Sequence, residues 1–132
     1  MVLSHFVQEK INNEDYYFPP SATFNYKTLN KIYLLPIYDE LIMGYKNRDA
    51  ILMSKNSLTP APTFLFDNTI IINGQITGTW QRKIYKSYIN LKINLFINFS
   101  EDQQPLLNEA VQQFEYFSGL NVTLQVNPLA NR

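Results

Sequence analysis

The chain has 132 residues, with 11 Lys plus Arg balanced by 11 Asp plus Glu, no cysteine and one histidine, His5. That length fits one domain with a real core, and the balanced charge leaves no global field to attract nucleic acid or membrane, so any DNA contact must come from a local patch. Disulfides, thiol catalysis, Cys-based metal sites, a His-based triad and multi-His metal sites are all excluded, and no metal or cofactor is expected. No apolar run reaches the roughly 18 residues of a membrane span, and the N-terminus lacks a signal-peptide core. The expected location is cytoplasmic, which the absence of cysteine fits. Asn98-Phe99-Ser100 and Asn121-Val122-Thr123 match the glycosylation pattern by chance.

Residues 1–18 read as a hairpin. Leu3, Phe6 and Val7 start it, Asn12-Asn13 is turn chemistry, and Tyr16-Tyr17-Phe18 is a second strand that Pro19-Pro20 ends. A lone hairpin is marginal in water. This one either leans on the main domain or belongs to a domain upstream. Residues 19–31 are broken by Pro19, Pro20, Ser21, Asn25 and Asn30 and read as a linker. Lys31 to Leu35 is a strand running into Pro36. Residues 38–45 make one or two helical turns, with Asp39 at the favourable end of the dipole and Gly44 as a stop.

Residues 54–62 read as a surface loop, and a β pattern follows. Thr63–Phe66 and Thr69–Ile72 are short strands, and Asn73-Gly74 is the strongest hairpin signal in the chain. Gln75–Tyr85 pairs back, with Ile76, Gly78, Trp80 and Ile84 in one parity and Gly78 marking a bend or bulge. A turn near Lys86-Ser87 leads into Tyr88–Phe96. There Ile89, Leu91, Ile93 and Leu95 alternate with Tyr88, Asn90, Lys92 and Asn94, the half-buried pattern of an antiparallel strand.

Residues 101–118 form an amphipathic helix capped by Ser100 or Asp102, with Pro105 in its first turn. Leu107, Ala110, Val111, Phe114 and Phe117 share one face, and Gly119 suits a left-handed C-terminal position. Leu120–Val126 is a final strand. The expected class is α+β: a curled antiparallel sheet or partly open β-barrel with one long helix near the C-terminus.

Three constellations carry candidate chemistry. Asp39 and Glu40 are adjacent, so on a helix they point about 100° apart. They fit a cap with an ion pair to Arg48 or Lys46 better than an acid/base dyad. Trp80, Arg82, Lys83, Tyr85, Lys86, Tyr88 and Lys92 could touch phosphates and stack bases. The plainer reading is a solvated strand face with Trp80 in the core, and the cations divide between two strand parities. Asn73-Gly74 and Gly78 match no phosphate loop, and a hairpin explains both glycines.

Taken in order, Leu34-Leu35-Pro36-Ile37-Tyr38-Asp39-Glu40 with Gly44-Tyr45-Lys46-Asn47-Arg48, then Ile72-Asn73-Gly74-Gln75-Ile76-Thr77-Gly78-Thr79-Trp80, then Phe117-Ser118-Gly119-Leu120 resemble a known pattern. They look like the C-terminal part of the winged-helix DNA-binding family related to the bacterial crosslink-unhooking, azinomycin-resistance type DNA glycosylases. The resemblance marks Asp39, Glu40, Gly44, Tyr45, Arg48, Gly74, Gly78, Thr79 and Trp80 as family-motif residues. It implies double-stranded DNA and upstream winged-helix domains as partners, with Arg48, Arg82, Lys83 and Lys86 as candidate DNA-backbone contacts. Family members are much longer, with tandem winged helices ahead of a β-rich domain and an activity that rests on a Gln-x-Gln type motif in the N-terminal region. No Gln-x-Gln occurs here, so no catalytic residue is carried over. The expected organisation is 1–20 as the wing hairpin of an upstream winged helix, 21–31 as linker and 32–132 as the C-terminal β-rich domain. Such a domain supports or extends DNA binding, forms the non-catalytic part of a glycosylase acting on alkylated or crosslinked DNA, or only packs on its neighbours.

Overall fold

In a computed structural model of the chain, the structure describes residues 5–22, 30–46, 48–52 and 66–128. The expected loop at 54–62, most of the strand at 63–66, residues 23–29 of the linker and the tail at 129–132 lie outside the described residues.

Strands β1 (Val7–Ile11) and β2 (Glu14–Phe18) pair antiparallel as a separate two-stranded sheet. Asn12 and Asn13 carry the turn at φ 49° and 70°. Two successive left-handed residues match the twist of the flanking strands, and asparagine tolerates that conformation. Every residue of the hairpin strands is exposed except the half-buried Phe18.

The main sheet has five strands in the order β3 (Ile32–Leu35), β4 (Asn68–Ile72), β5 (Gln75–Ile84), β6 (Tyr88–Leu95) and β7 (Asn121–Asn127). The first four run antiparallel to their neighbours, while β7 runs parallel to β6. The sheet is therefore mixed, and it does not close into a barrel. Both features correct the expected antiparallel curl or partly open barrel. The direction of β7 follows from α2 (Gln103–Ser118), which carries the chain back over the sheet before β7 begins. A connection of that length returns the next strand in the same direction, as in a βαβ unit. The short helix α1 (Glu40–Met43) follows β3.

Packing explains the α2 boundaries. The backbone N–H of Ser100 donates to Gln103 Oε1 at 2.9 Å, so the glutamine side chain reaches back over the start of the helix. Asp102 sits at the N-cap position without a side-chain cap bond. Gly119 ends the helix at φ 68° and donates its N–H to the Glu115 carbonyl. Leu107 and Ala110 are buried, and Val111 and Phe114 pack beside them. Phe117 departs from the expected face and is 87% exposed.

Gly78 does mark a bulge. Ile70 pairs with Gly78 and Ile71 with Ile76, so Thr77 is the extra residue on β5. The bulge also breaks the expected parity. Trp80 stays on the α2 side with Ile70 and Ile72, whereas Ile76 turns to the opposite face with Ile71 and Ile42. One extra residue flips the side chains that follow, which is how one strand serves two cores. The larger core adds Ile89, Leu91, Ile93 and Leu95, the alternation expected of β6.

Two substitutions test this packing by urea denaturation. A Cβ at Gly78 would lie 2.5 Å from the Asn94 carbonyl oxygen. Gly78→Ala therefore forces backbone to move, and a loss of about 1–3 kcal/mol is expected. Thr69 is fully buried and its hydroxyl has no hydrogen-bond partner. Thr69→Val keeps the shape and removes that orphan, so a gain of about 1 kcal/mol is expected.

Candidate nucleic-acid interface

The proline motif and Trp80 meet at one junction. Trp80 is 4% exposed, and its indole Nε1–H donates to the Leu35 carbonyl at 2.9 Å. Asn68 closes the same corner: its Oδ1 accepts from the Ile37 N–H at 2.9 Å, and its Nδ2 donates to the Trp80 carbonyl at 3.2 Å. Phe114 of α2 meets the Trp80 ring edge-on, with centroids 5.6 Å apart. The proline motif and the tryptophan motif are thus two halves of one joint.

Beyond Pro36 the chain turns sharply. Tyr38 takes φ +65° with its side chain 62% exposed. Asp39 then caps α1, its Oδ1 accepting from the Leu41 N–H at 2.9 Å. Glu40 is exposed. The expected cap is present, and Asp39 is committed to it rather than facing Glu40. Gly44 ends the turn at φ −75°, not in the left-handed conformation. Its glycine is explained by close approach: a Cβ would lie 2.6 Å from the Glu40 carbonyl oxygen. Tyr45 is exposed, and Arg48 Nε donates to the Ile42 carbonyl at 2.7 Å. Gly74 takes φ +79° behind Asn73 at +51°, the hairpin turn expected there.

The two sides of the sheet differ in chemistry. Side chains alternate along a strand, and residues paired across strands share a face. α2 covers the face that holds Trp80, Ile93 and Leu124. On the other face, among the described residues, α1 and residues 51–52 cover the end around Ile71 and Ile76. The rest of that face is polar. It runs Thr79, Gln81, Lys83 on β5; Asn94, Lys92, Asn90 on β6; and Asn127, Gln125, Thr123 on β7. Gln81, Lys83, Lys92, Thr123 and Gln125 are exposed. Asn90 donates to Thr123 Oγ1 at 3.0 Å, and Asn127 donates to Asn94 Oδ1 at 2.8 Å. At the hairpin end Tyr85 and Tyr88 stack with centroids 4.5 Å apart and planes 11° apart. Lys83 Nζ lies 5.3 Å from the Tyr85 ring centroid.

Strands β5, β6 and β7 contain no Asp or Glu, and with the β5–β6 turn they carry Arg82, Lys83, Lys86 and Lys92. Helix α2 has the reverse balance, Glu109 and Glu115 with no cation, after Glu101 and Asp102. The structure brings Lys83 and Lys92 together on the open face. Lys86 sits in the turn, Arg82 is on the α2 parity opposite Leu91, and Arg48 stands by α1. The amides of β6 and β7 are members of this face that sequence reasoning did not single out. The one available signal was the absence of carboxylates from three successive strands. No group of three or more potential metal ligands occurs among the described residues. No helix there is long and apolar enough to cross a membrane.

The fold and this face define an α+β domain with a helix-covered side and a polar side whose strands β5, β6 and β7 carry no carboxylate. A protein-family model described as DNA glycosylase AlkZ-like matches residues 9–117, and the chain belongs to that family. No curated protein sequence matches it. Among solved structures, the Streptomyces sahachiroi DNA glycosylase AlkZ is similar in fold, with a TM-score of 0.51 at 14% identity. The match covers 94% of this chain and 33% of that one, so the chain spans about a third of that protein's length.

Trp80→Phe should keep the ring in the core and lose the indole donor, costing about 1–2 kcal/mol. Trp80→Ala should cost about 3–5 kcal/mol. Both are read by far-ultraviolet circular dichroism in urea, because Trp80 is the chain's only tryptophan.

Proposed function

We propose that this chain is a DNA-contacting, non-catalytic domain of a glycosylase that acts on alkylated or crosslinked DNA. The observation that carries the reading is the stretch of open face formed by β5, β6 and β7, three strands without a carboxylate, with Lys83 and Lys92 on it and Lys86 at its hairpin end, in a chain of the AlkZ-like family. A surface that holds DNA must neutralise phosphates without presenting carboxylates to them. Exposed lysines flanked by amide and hydroxyl donors meet that requirement. Arg48, beside α1, borders that surface, whereas Arg82 lies on the α2 parity and meets the backbone only where DNA passes the sheet edge. The protein then works where the DNA is, in the cytoplasm.

The domain organisation belongs to this proposal. Residues 1–20 are the wing hairpin of a preceding winged helix, 21–31 a linker and 32–132 the C-terminal β-rich domain. Exposure of Val7, Ile11, Tyr16 and Tyr17 supports a hairpin that finishes its packing against another domain. Base release is assigned to other parts of the enzyme, because the chain holds no Gln-x-Gln. The chain alone should release no base from alkylated DNA, checked by product chromatography.

A second reading, a domain that only packs on its neighbours, is favoured by the burial of the motif residue Trp80 and its bond to the Leu35 carbonyl. Titration of a labelled duplex by fluorescence anisotropy at about 50 and 200 mM salt separates the two. Each phosphate contact on duplex DNA contributes about 0.9 to the logarithmic salt slope. Binding is expected, and Lys83→Ala with Lys92→Ala should flatten the slope by about 1.8. No binding at the lower salt would leave the packing role.

A further inference from the structure

We infer that the open face takes an unpaired DNA strand in preference to an intact duplex. This rests on the DNA-contact reading above and deepens it. Three observations point the same way. First, the face is broad and amide-rich: the cross-strand pairs Asn90–Thr123 and Asn94–Asn127 order it, and the exposed Gln81 and Gln125 stand beside them to present their amides. Asn and Gln present a donor and an acceptor side by side, which matches base edges. In a duplex the Watson–Crick edges are occupied, so this complementarity is fully used only by unpaired bases.

Second, the face ends in an aromatic platform. Tyr85 and Tyr88 lie opposite each other at the hairpin turn, joined by the Tyr85 N–H to the Tyr88 carbonyl at 2.8 Å. Their rings are parallel and in contact, and Tyr85 remains 37% exposed. A base with a free π-face can extend that stack, whereas a base inside a duplex already has both faces covered. Third, cations are few on the face itself. Lys83 and Lys92 suit the single line of phosphates on one strand, with Lys83 held beside Tyr85 so that charge and ring act on the same nucleotide. A glycosylase must take its target base out of the stack, so an unpaired segment forms on its substrate during the reaction.

The test uses the full 132-residue chain. Labelled single-stranded, duplex and single-base-bulged oligonucleotides are titrated by anisotropy at about 50 mM salt. Single-stranded and bulged DNA should bind at least several-fold more tightly than the duplex. Tyr85→Leu keeps apolar contact with Tyr88 and loses the π-face; it should weaken single-strand binding about 5- to 100-fold and duplex binding little. Tyr85→Phe should retain the preference. Tyr116→Ala, at a side chain 93% exposed on α2, should change nothing. Trp80 emission confirms that each variant is folded. Duplex bound as tightly as single strand, or single-strand affinity unmoved in folded Tyr85→Leu, would overturn this inference and leave the DNA-contact reading intact. No binding to any of the three DNAs would overturn the DNA-contact reading itself.

Discussion

The indole of Trp80 has to be buried and has to find an acceptor, and the rest of the domain is arranged around that requirement. A buried N–H without a partner costs as much as a lost hydrogen bond, so the Leu35 carbonyl must stay free to accept it. Pro36 follows immediately. It cannot donate to a neighbouring strand, so the chain leaves the sheet where the acceptor is needed. Asn68 then ties the departing Ile37 backbone to the Trp80 carbonyl. The left-handed Tyr38 and the Asp39 cap follow from that exit, because the chain must turn back over the sheet within two residues. On its other side the indole meets Phe114, which fixes where α2 lies. One side chain thereby couples β3, β5, α1 and α2.

The bulge at Thr77 is the second constraint. Without it, Ile76 and Trp80 would lie on one face, and the α1 side would have no apolar residue from β5. With it, β5 supplies Ile76 to the smaller core and Trp80 to the larger one. Gly78 pays the steric toll of this arrangement, since only a residue without Cβ can pass the Asn94 carbonyl at that distance. Past the bulge, β5, β6 and β7 alternate, with apolar residues toward α2 except Arg82, and amides, threonines, lysines and the Tyr85–Tyr88 pair outward. The polar face follows from that alternation.

Much of this was legible in the residues. The alternation of Ile89 to Leu95, the Asn73-Gly74 turn, the α2 stripe and the Gly78 bulge are local patterns, and local patterns depend only on the periods of strand and helix. The direction of β7 is not local. Val122, Leu124 and Val126 look the same in either direction, and the crossover through α2 decides it. The parity of Ile76 was misread because a bulge shows as a glycine without showing which residue is extra. The Leu35–Trp80 bond joins residues 45 apart, and no spacing rule reaches that far. The amide pairs were hidden for the same reason: Asn90 and Thr123 meet only once the β6–β7 register is set.

The zero net charge of the chain is compatible with a DNA-binding face, and the geometry shows why. The carboxylates of α2 lie on the far side of the sheet from Lys83 and Lys92. Packed layers are separated by about 10 Å, and at physiological salt the screening length is about 8 Å. A phosphate on the open face therefore sits much closer to the lysines it touches than to the helix carboxylates, and their repulsion is the weaker term. Net charge governs the field at long range, where salt has already removed it. At contact distance the sign is set by which residues share a strand face, and three successive strands here place no carboxylate on theirs.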